Sequence, residues 1–573
     1  MMPATDTSAQ VTVADVKNRL NTRRAAMLLT LFASIGVSAA VPVATEPVTL
    51  PGPSAQLREQ MTQDRAAADA QTSSDRLLTR FYQLREFRPA WAEPAQRSAL
   101  LTALVDIEND GLQPQDYAVE ALRAAWSQPS QRSDAALGTE LLATRSLLTA
   151  LSHLLNGKVD PRVLERDWNF QARGIDVQSA LAEASRAIDN AAIAELFERA
   201  RPTYPLYERL REGLRRLRKV QSTGGWPQIA DGPTLKVGDD DPRIPALRER
   251  LRLSGYGDPE MEAEADSTHF DPVLHDALRR FQRKQYLAAD GALGKDTLAA
   301  LNVTVAMRID QVRANLERAR WLLHETSAEF LLVDIAGYKA TYFQHGQPQW
   351  STRVQVGKPY RKTPSFRSQI NRITFNPTWT VPPTILRKDI LPKVRQNPGY
   401  LAANRLRVLD PNGNELRAEQ IDWNNPSGLT LRQDAGPGNS LGRVAIRFDN
   451  PYSVYLHDTP HTELFDFEQR AFSSGCIRVE QPLDLVERLL DDPVQWNRTA
   501  IDALIATGRT QNVSLHRPVT VLLMYWSVDI HSDGRLGFKR DIYGRDARIL
   551  AELAKPPQLH LLDRSTLTDA AIR

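Results

Sequence analysis

Tyr455-Leu456-His457-Asp458-Thr459-Pro460, followed by Ser473-Ser474-Gly475-Cys476-Ile477-Arg478-Val479, is the stretch on which the reading of this chain turns. A cysteine attacks a carbonyl carbon as thiolate, so it needs a base or a positive neighbour and a pair of N–H donors for the oxyanion. His457 fits the base. Gly475 allows close approach of the backbone to a substrate, and the amide of Cys476 can then face the developing oxyanion. Ser473 and Ser474 can support that loop through hydrogen bonds, and Arg478 is a cation placed to bind a substrate carboxylate or to favour the thiolate. Pro482 to Leu490 reads as a helix, which puts the cysteine loop between a strand and a helix. A lone cysteine outside such a pattern reads as a small buried hydrophobe, and a lone histidine as a structural one. His457 and His461 lie four apart with Asp458 and Glu463 nearby, but Pro460 interrupts the helix a zinc pair would need, so no metal is expected.

Working outward, short β-prone runs precede the motif: Phe330 to Ile335, Ala340 to Phe343, Thr352 to Val356, Ile370 to Phe375, Arg443 to Phe448 and Ser453 to Leu456. His345-Gly346 and Asn412-Gly413 supply turn signals between some of them. Between Pro382 and Asp434 the strand pattern lapses into a helix-like stretch, Ile385 to Val394, and a polar Asn/Pro/Gly-rich segment; residues 384–435 read as a lid over a site. Further upstream, residues 73–223 are rich in Ala, Leu and Arg at helical spacing, an all-helical scaffold whose Trp91, Trp126 and Trp168 read as core. A Gly/Pro/Asp-rich break, Gly224 to Asp241, follows.

At the start, Arg23 and Arg24 precede an apolar run, Ala25 to Val37, and then Ser38, Ala39 and Ala40. This has the anatomy of a secretory signal, with residues 1–40 either cleaved or kept as a membrane anchor, and residues 41–72 read as a linker. Export to the periplasm would carry the single cysteine of the chain into an oxidising compartment, so the thiol needs a reason to be there. Lys and Arg total 72 against 69 Asp and Glu, dispersed along 573 residues, so nothing favours a nucleic-acid partner. A hydrophobic content of 42% argues against a multi-span membrane protein.

Two resemblances organise these readings. Residues 233–305 resemble the small peptidoglycan-binding domain: a leucine-rich first helix, a helix ending in Arg-x-Phe281-Gln282-like form, the turn Asp290-Gly291-Ala292-Leu293-Gly294, and a last helix closing with Leu301-Asn302. Gly291 and Gly294 read as the tight turn between helices. Residues 328–553 resemble the L,D-transpeptidase family with the YkuD-type domain, in particular its large Gram-negative, YcbB-like members. The family pattern is a histidine followed at some distance by a Ser-x-Gly-Cys-x-Arg loop, and here His457 precedes Cys476 by nineteen positions. Val356-Gly357, Thr363-Pro364-Ser365-Phe366, Asn376 to Pro383, Gly436 to Gly442, Tyr525-Trp526 and Asp541 to Asp546 agree. Ser474 stands where many members carry a histidine, so His457 serves alone.

The resemblance implies a multidomain α+β protein: helical scaffold domain, three-helix peptidoglycan-binding domain, mostly β catalytic domain with a lid insertion, and a tail at 554–573. It implies a cysteine acyltransferase that needs no cofactor, with Cys476 as nucleophile and His457 as base beside Gly475. Arg478, Ser474, Ser473, Tyr455 and Trp379 would contact substrate or wall the cleft. The implied substrates are peptidoglycan stem peptides, a tetrapeptide donor and a diaminopimelate acceptor. Cell-wall synthases and carboxypeptidases are candidate protein partners, and carbapenems are expected to acylate the thiol. If water replaces the acceptor amine, the same site is an L,D-carboxypeptidase or amide hydrolase; a decayed site would leave a peptidoglycan-binding protein.

Overall fold

The computed structural model describes residues 52–66, 73–128, 133–165, 168–257, 259–260, 265–322 and 328–559. The expected signal or anchor at 1–40 lies outside them, as does most of the expected linker. The described part of that linker is not a spacer: Gly52–Ala66 is helical, with Leu57 and Met61 buried in the scaffold core. Among the described residues no helix is long and apolar enough to cross a membrane.

The scaffold is helical, as its Leu and Ala spacing requires. In Ile193–Ala200, for example, Ile193, Leu196, Phe197 and Ala200 form one buried stripe. Its core is shared. The same apolar cluster runs from Leu57 through Leu147 and Leu214 to Leu316 and Trp321, and on to Phe330, Leu522, Met524 and Ile549 of the β domain. At its centre is the helix Val305–Leu322, which lies between the two recognisable modules in sequence and is buried on nearly all sides. Its buried polar groups have partners: Arg320 pairs with Glu317, Arg318 with Asp546 at 2.6 Å, Arg308 donates to Gln311 and lies over the Phe538 ring, and Asn315 Nδ2 donates to Ser527 Oγ at 2.7 Å. Uncompensated, those groups would make burial prohibitively costly.

The small module has the three expected helices, Ile244–Leu253, Pro272–Lys284 and Lys295–Leu301, around Leu247, Phe270, Leu278 and Phe281. Gln282, fully buried, organises the turn: its Nε2 donates to Asp290 Oδ1, the Ala292 carbonyl and Thr297 Oγ1, and its Oε1 accepts from Gly291 N. Of the two glycines expected there, only Gly291 has positive φ (72°); Gly294 is an extended helix N-cap.

The β domain contains strands β1 (Glu329–Asp334), β2 (Lys339–Gln344), β3 (Gln347–Gly357), β4 (Phe366–Phe375), β5 (Trp379–Thr380), β6 (Leu406–Leu409), β7 (Glu415–Leu416), β8 (Thr430–Gln433), β9 (Val444–Phe448), β10 (Leu456–His457), β11 (Ala471–Ser473), β12 (Ile477–Val479), β13 (Gln511–Met524), β14 (Val528–Ile530) and β15 (Leu536–Phe538). The main sheet runs β11-β3-β12-β10-β9-β4-β13-β1-β2, and β2 also pairs with β3, which closes it into a barrel. His345 and Gly346, both at positive φ, make the β2–β3 hairpin turn. The interior takes alternate residues, among them Val354, Val356, Ile446, Leu456, Ile477 and Val479. The intervening residues therefore face outward, and those of β9, β10, β12 and β3 carry the site.

The lid is more ordered than its polar sequence suggests. A four-stranded sheet, β5-β8-β6-β7, packs with the helical segments 383–396 around Val394, Leu401, Val408 and Leu431. This cap has a core of its own, and it begins at Trp379, before the expected boundary.

Candidate active site

β10 and β12 pair in parallel, Leu456 with Ile477 and His457 with Arg478; β9 flanks β10, Leu456 with Ile446, and β3 flanks β12, Arg478 with Gln355. Leu456, Ile477 and Ile446 point into the barrel. Strand alternation then sets two rows on the outer face. One row is Arg447, Tyr455, Cys476 and Gly357; the next is Ala445, His457, Arg478 and Gln355. Cys476 and His457 are thus diagonal neighbours on adjacent strands.

The cysteine sits just before β12, on a loop held from below. Gly475 has φ 123°, a conformation that side chains resist. Its N–H donates to Ser473 Oγ at 3.1 Å, and Ser473 Oγ in turn donates to the Cys476 carbonyl at 2.6 Å. Thr363 Oγ1 donates to the Gly475 carbonyl at 2.8 Å and accepts from Gly357 N at 2.9 Å. The N–H of Gly475 is therefore committed to its own loop. The Cys476 amide has no partner among the described residues, which leaves it for an oxyanion.

His457 is buried, and its Nδ1 lies 2.5 Å from the Asp458 carbonyl oxygen. A carbonyl oxygen can only accept, so Nδ1 carries the proton and Nε2 is the basic nitrogen. Burial, then the charges of Arg478 and Arg447, lower its pKa to about 3, so the imidazole is neutral at any physiological pH. Asp458 is fixed by Arg443, whose N and Nε donate to Oδ2 at 2.9 and 2.7 Å. The Cys476 thiol is half-buried, with Sγ 3.8 Å from the Ser453 carbonyl. Burial pushes its pKa up, while the Tyr455 amide and the guanidiniums of Arg447 and Arg478 pull it back. The resting pair is a neutral thiol and a neutral imidazole, an arrangement in which a thiolate can form only by proton transfer to a base.

Residues 328–499 match the L,D-transpeptidase catalytic domain family, residues 240–301 a peptidoglycan-binding domain and residues 76–214 a scaffold domain. The chain carries an L,D-transpeptidase catalytic domain. A Haemophilus influenzae protein described as an L,D-transpeptidase is 31% identical over 278 residues, 47% of this chain and 56% of that protein. The match thus spans little more than half of that relative's length. Among solved structures, L,D-transpeptidases of Stackebrandtia nassauensis and Xylanimonas cellulosilytica align with 52% of this chain and with 97% and 100% of their own, at 14% and 12% identity and TM-scores of 0.20 and 0.16. Scores this low carry no argument beyond the family match.

Within the L,D-transpeptidase domain the motif residues fall into distinct places. Tyr455 lies in the row of the thiol, its ring 5.7 Å from that of His457. Arg478 Nη1 donates to Gln355 Oε1 at 3.1 Å. Ser474, exposed beside the thiol, accepts from Arg361 Nη1 at 2.9 Å. Trp379 pairs through β5 with β8 and packs against the core of the cap. His461 turns to Glu463 at the surface, 3.3 Å away. Several of the motif pieces are supports: Tyr543 donates to the Gly357 carbonyl at 2.7 Å, and Tyr525 to Asp541 at 2.7 Å. Gly357 is required because a Cβ there would lie 2.1 Å from the Arg361 carbonyl oxygen.

Sequence reasoning passed over three residues. In sequence Thr363 reads only as part of the Thr363-Pro364-Ser365-Phe366 motif, yet its hydroxyl holds the Gly475–Cys476 loop. Arg361 links Ser474 to the cap through a forked ion pair with Asp389, on the single π-turn Leu386–Ile390. Arg447 lies over the Tyr455 ring, its Cζ 4.2 Å from the centroid. Only alternation from Ile446 in β9 could have flagged Arg447, and that needs the strand pairing.

Proposed function

We propose that this protein forms diaminopimelate-to-diaminopimelate cross-links in peptidoglycan through a thioester on Cys476, acting outside the cytoplasm. The observation that carries this reading is the placement of Cys476 and His457 on one outer face of the barrel, with Nδ1 of the histidine occupied and Nε2 left basic. In the first step Nε2 takes the thiol proton, and Sγ bonds to the carbonyl carbon at the L-centre of the donor's diaminopimelate. The carbon–nitrogen bond to D-Ala then breaks, and the imidazolium returns its proton to the leaving amine. In the second, the side-chain amine of a neighbouring stem attacks the thioester, its proton passes to His457, and the sulfur leaves to be reprotonated. The Cys476 amide stabilises both oxyanions. The peptidoglycan-binding module and the small cap fit a polymeric substrate presenting peptide stems.

Hydrolysis by water uses the same residues, and the acceptor decides between the two outcomes. Mass spectrometry of the signal-less protein with disaccharide-tetrapeptide tests the choice, with Cys476→Ala as control. Dimers lacking one D-Ala, formed only by wild type, are expected. Tripeptide monomer alone would make the protein a carboxypeptidase, and no product from folded wild type would sink the catalytic reading.

A further inference from the structure

The arginines of the β domain that line the cleft are mostly matched to carboxylates: Arg353 to Glu480, Arg361 to Asp389, Arg443 to Asp458. Arg447 is different. Among the described residues no carboxylate pairs with it; its close partner is Tyr455, whose ring lies under the guanidinium and whose hydroxyl takes a side-chain hydrogen bond from it. It is half-exposed, so part of the side chain is reachable from solvent. Tyr455 holds the guanidinium in place and engages one of its five N–H donors, which leaves donors for bidentate capture of a carboxylate. Its row runs Arg447, Tyr455, Cys476 across β9, β10 and β12. Its charge reaches both reacting groups: it lowers the pKa of the thiol, ahead of Arg478 in strength, and also that of His457. Arg478, by contrast, is tied to Gln355.

From this placement we infer that Arg447 is a specificity-determining residue whose guanidinium, stacked on Tyr455, binds the terminal carboxylate of the leaving residue and so restricts the enzyme to donors ending one residue after the attacked carbonyl. The inference rests on the transpeptidase reading above. The chemistry fits: in a donor ending in D-Ala, the carboxylate is three bonds from the carbonyl carbon that Sγ attacks, so a cation beside the thiol is within reach of it. The same carboxylate leaves with the amine that His457 protonates.

The test compares two donor peptides that differ only at the end, a tetrapeptide stem with a free C-terminal carboxylate and its C-terminal carboxamide, by the release of D-Ala or its amide. Wild type should prefer the acid by about tenfold or more in kcat/KM, the scale of a lost charge-assisted pair. In Arg447→Met, which keeps the stem over Tyr455, that preference should fall to within about twofold, whatever happens to the absolute rate. Arg447→Lys, which restores a point charge, should recover part of the preference. Using the ratio removes any general loss of thiol nucleophilicity, because both peptides meet the same thiol. Equal use of acid and amide by wild type would overturn the assignment, as would a preference that survives in Arg447→Met. Failure of wild type to release either product would instead remove the transpeptidase reading, and the subsite with it.

Discussion

His457 is neutral because its ring is buried with Arg478 and Arg447 close by, and that has a consequence for stability. In the unfolded chain a histidine takes a proton near pH 6.5, whereas here it does so only at about 3. Between those values the unfolded state binds the extra proton, so stability is complete above pH 6.5 and is lost as the pH falls toward 3. The loss reaches roughly 3–5 kcal/mol at the bottom of that window. Urea midpoints measured from pH 7 to 4 should therefore fall more steeply for wild type than for His457→Gln. Parallel curves would show that the histidine is not the group responsible. Cys476 and His457 could be singled out as candidates at this scale because acyl transfer through a thiol needs such side chains whatever surrounds them. The tautomer was not, since it depends on where the Asp458 carbonyl points.

Among the elements, the Gly475–Cys476 loop is only as rigid as its tether. Thr363, fully buried, holds both the Gly475 carbonyl and the Gly357 amide through one hydroxyl. Thr363→Val leaves two buried polar groups unmatched, at about 1–3 kcal/mol each, and frees a loop whose glycine is already in an unusual conformation. We expect kcat to fall about tenfold with KM changed less than twofold, and Thr363→Ser to restore most of it. Equal losses in Ser and Val variants would show that the methyl group matters and the hydroxyl does not. The cap was legible as an insertion, but its internal fold was not. Its strands β6, β7 and β8 are two to four residues long, too short for alternation to show, and they are stable only because they share Val394, Leu401 and Leu431. The turns were easier: His345-Gly346 declares a tight hairpin because few residue pairs accept positive φ at both positions.

For the whole molecule, the scaffold and the barrel are not separable beads. Phe330, Leu522, Met524 and Trp526 of the β domain are buried in the same cluster as the scaffold's Leu147 and Leu214, with the helix Val305–Leu322 between them. A fragment starting at residue 328 would expose that face, at about 25 cal/mol for each Å² of apolar surface left in water. Expressed alone, residues 328–559 should aggregate or show a melting temperature at least ten degrees below that of residues 52–559, as read by light scattering and thermal unfolding. A soluble, equally stable fragment would mean the shared core contributes little. The small module is bound more lightly, by contacts such as Tyr286 Oη to Asp529 at 2.6 Å and Lys284 to Asp533 at 3.1 Å.

By itself the sequence determined the class of fold and singled out Cys476 and His457 as the candidate reacting pair, because those follow from side-chain chemistry and from periodicity within a few residues. Only the tertiary structure decided that Arg447 faces the thiol, that Thr363 holds its loop, that the cap has a core, and that the helix Val305–Leu322, with its many charges, is interior. Each of those depends on which strand or helix lies alongside, and pairing between residues distant in sequence leaves no local trace in either partner's sequence.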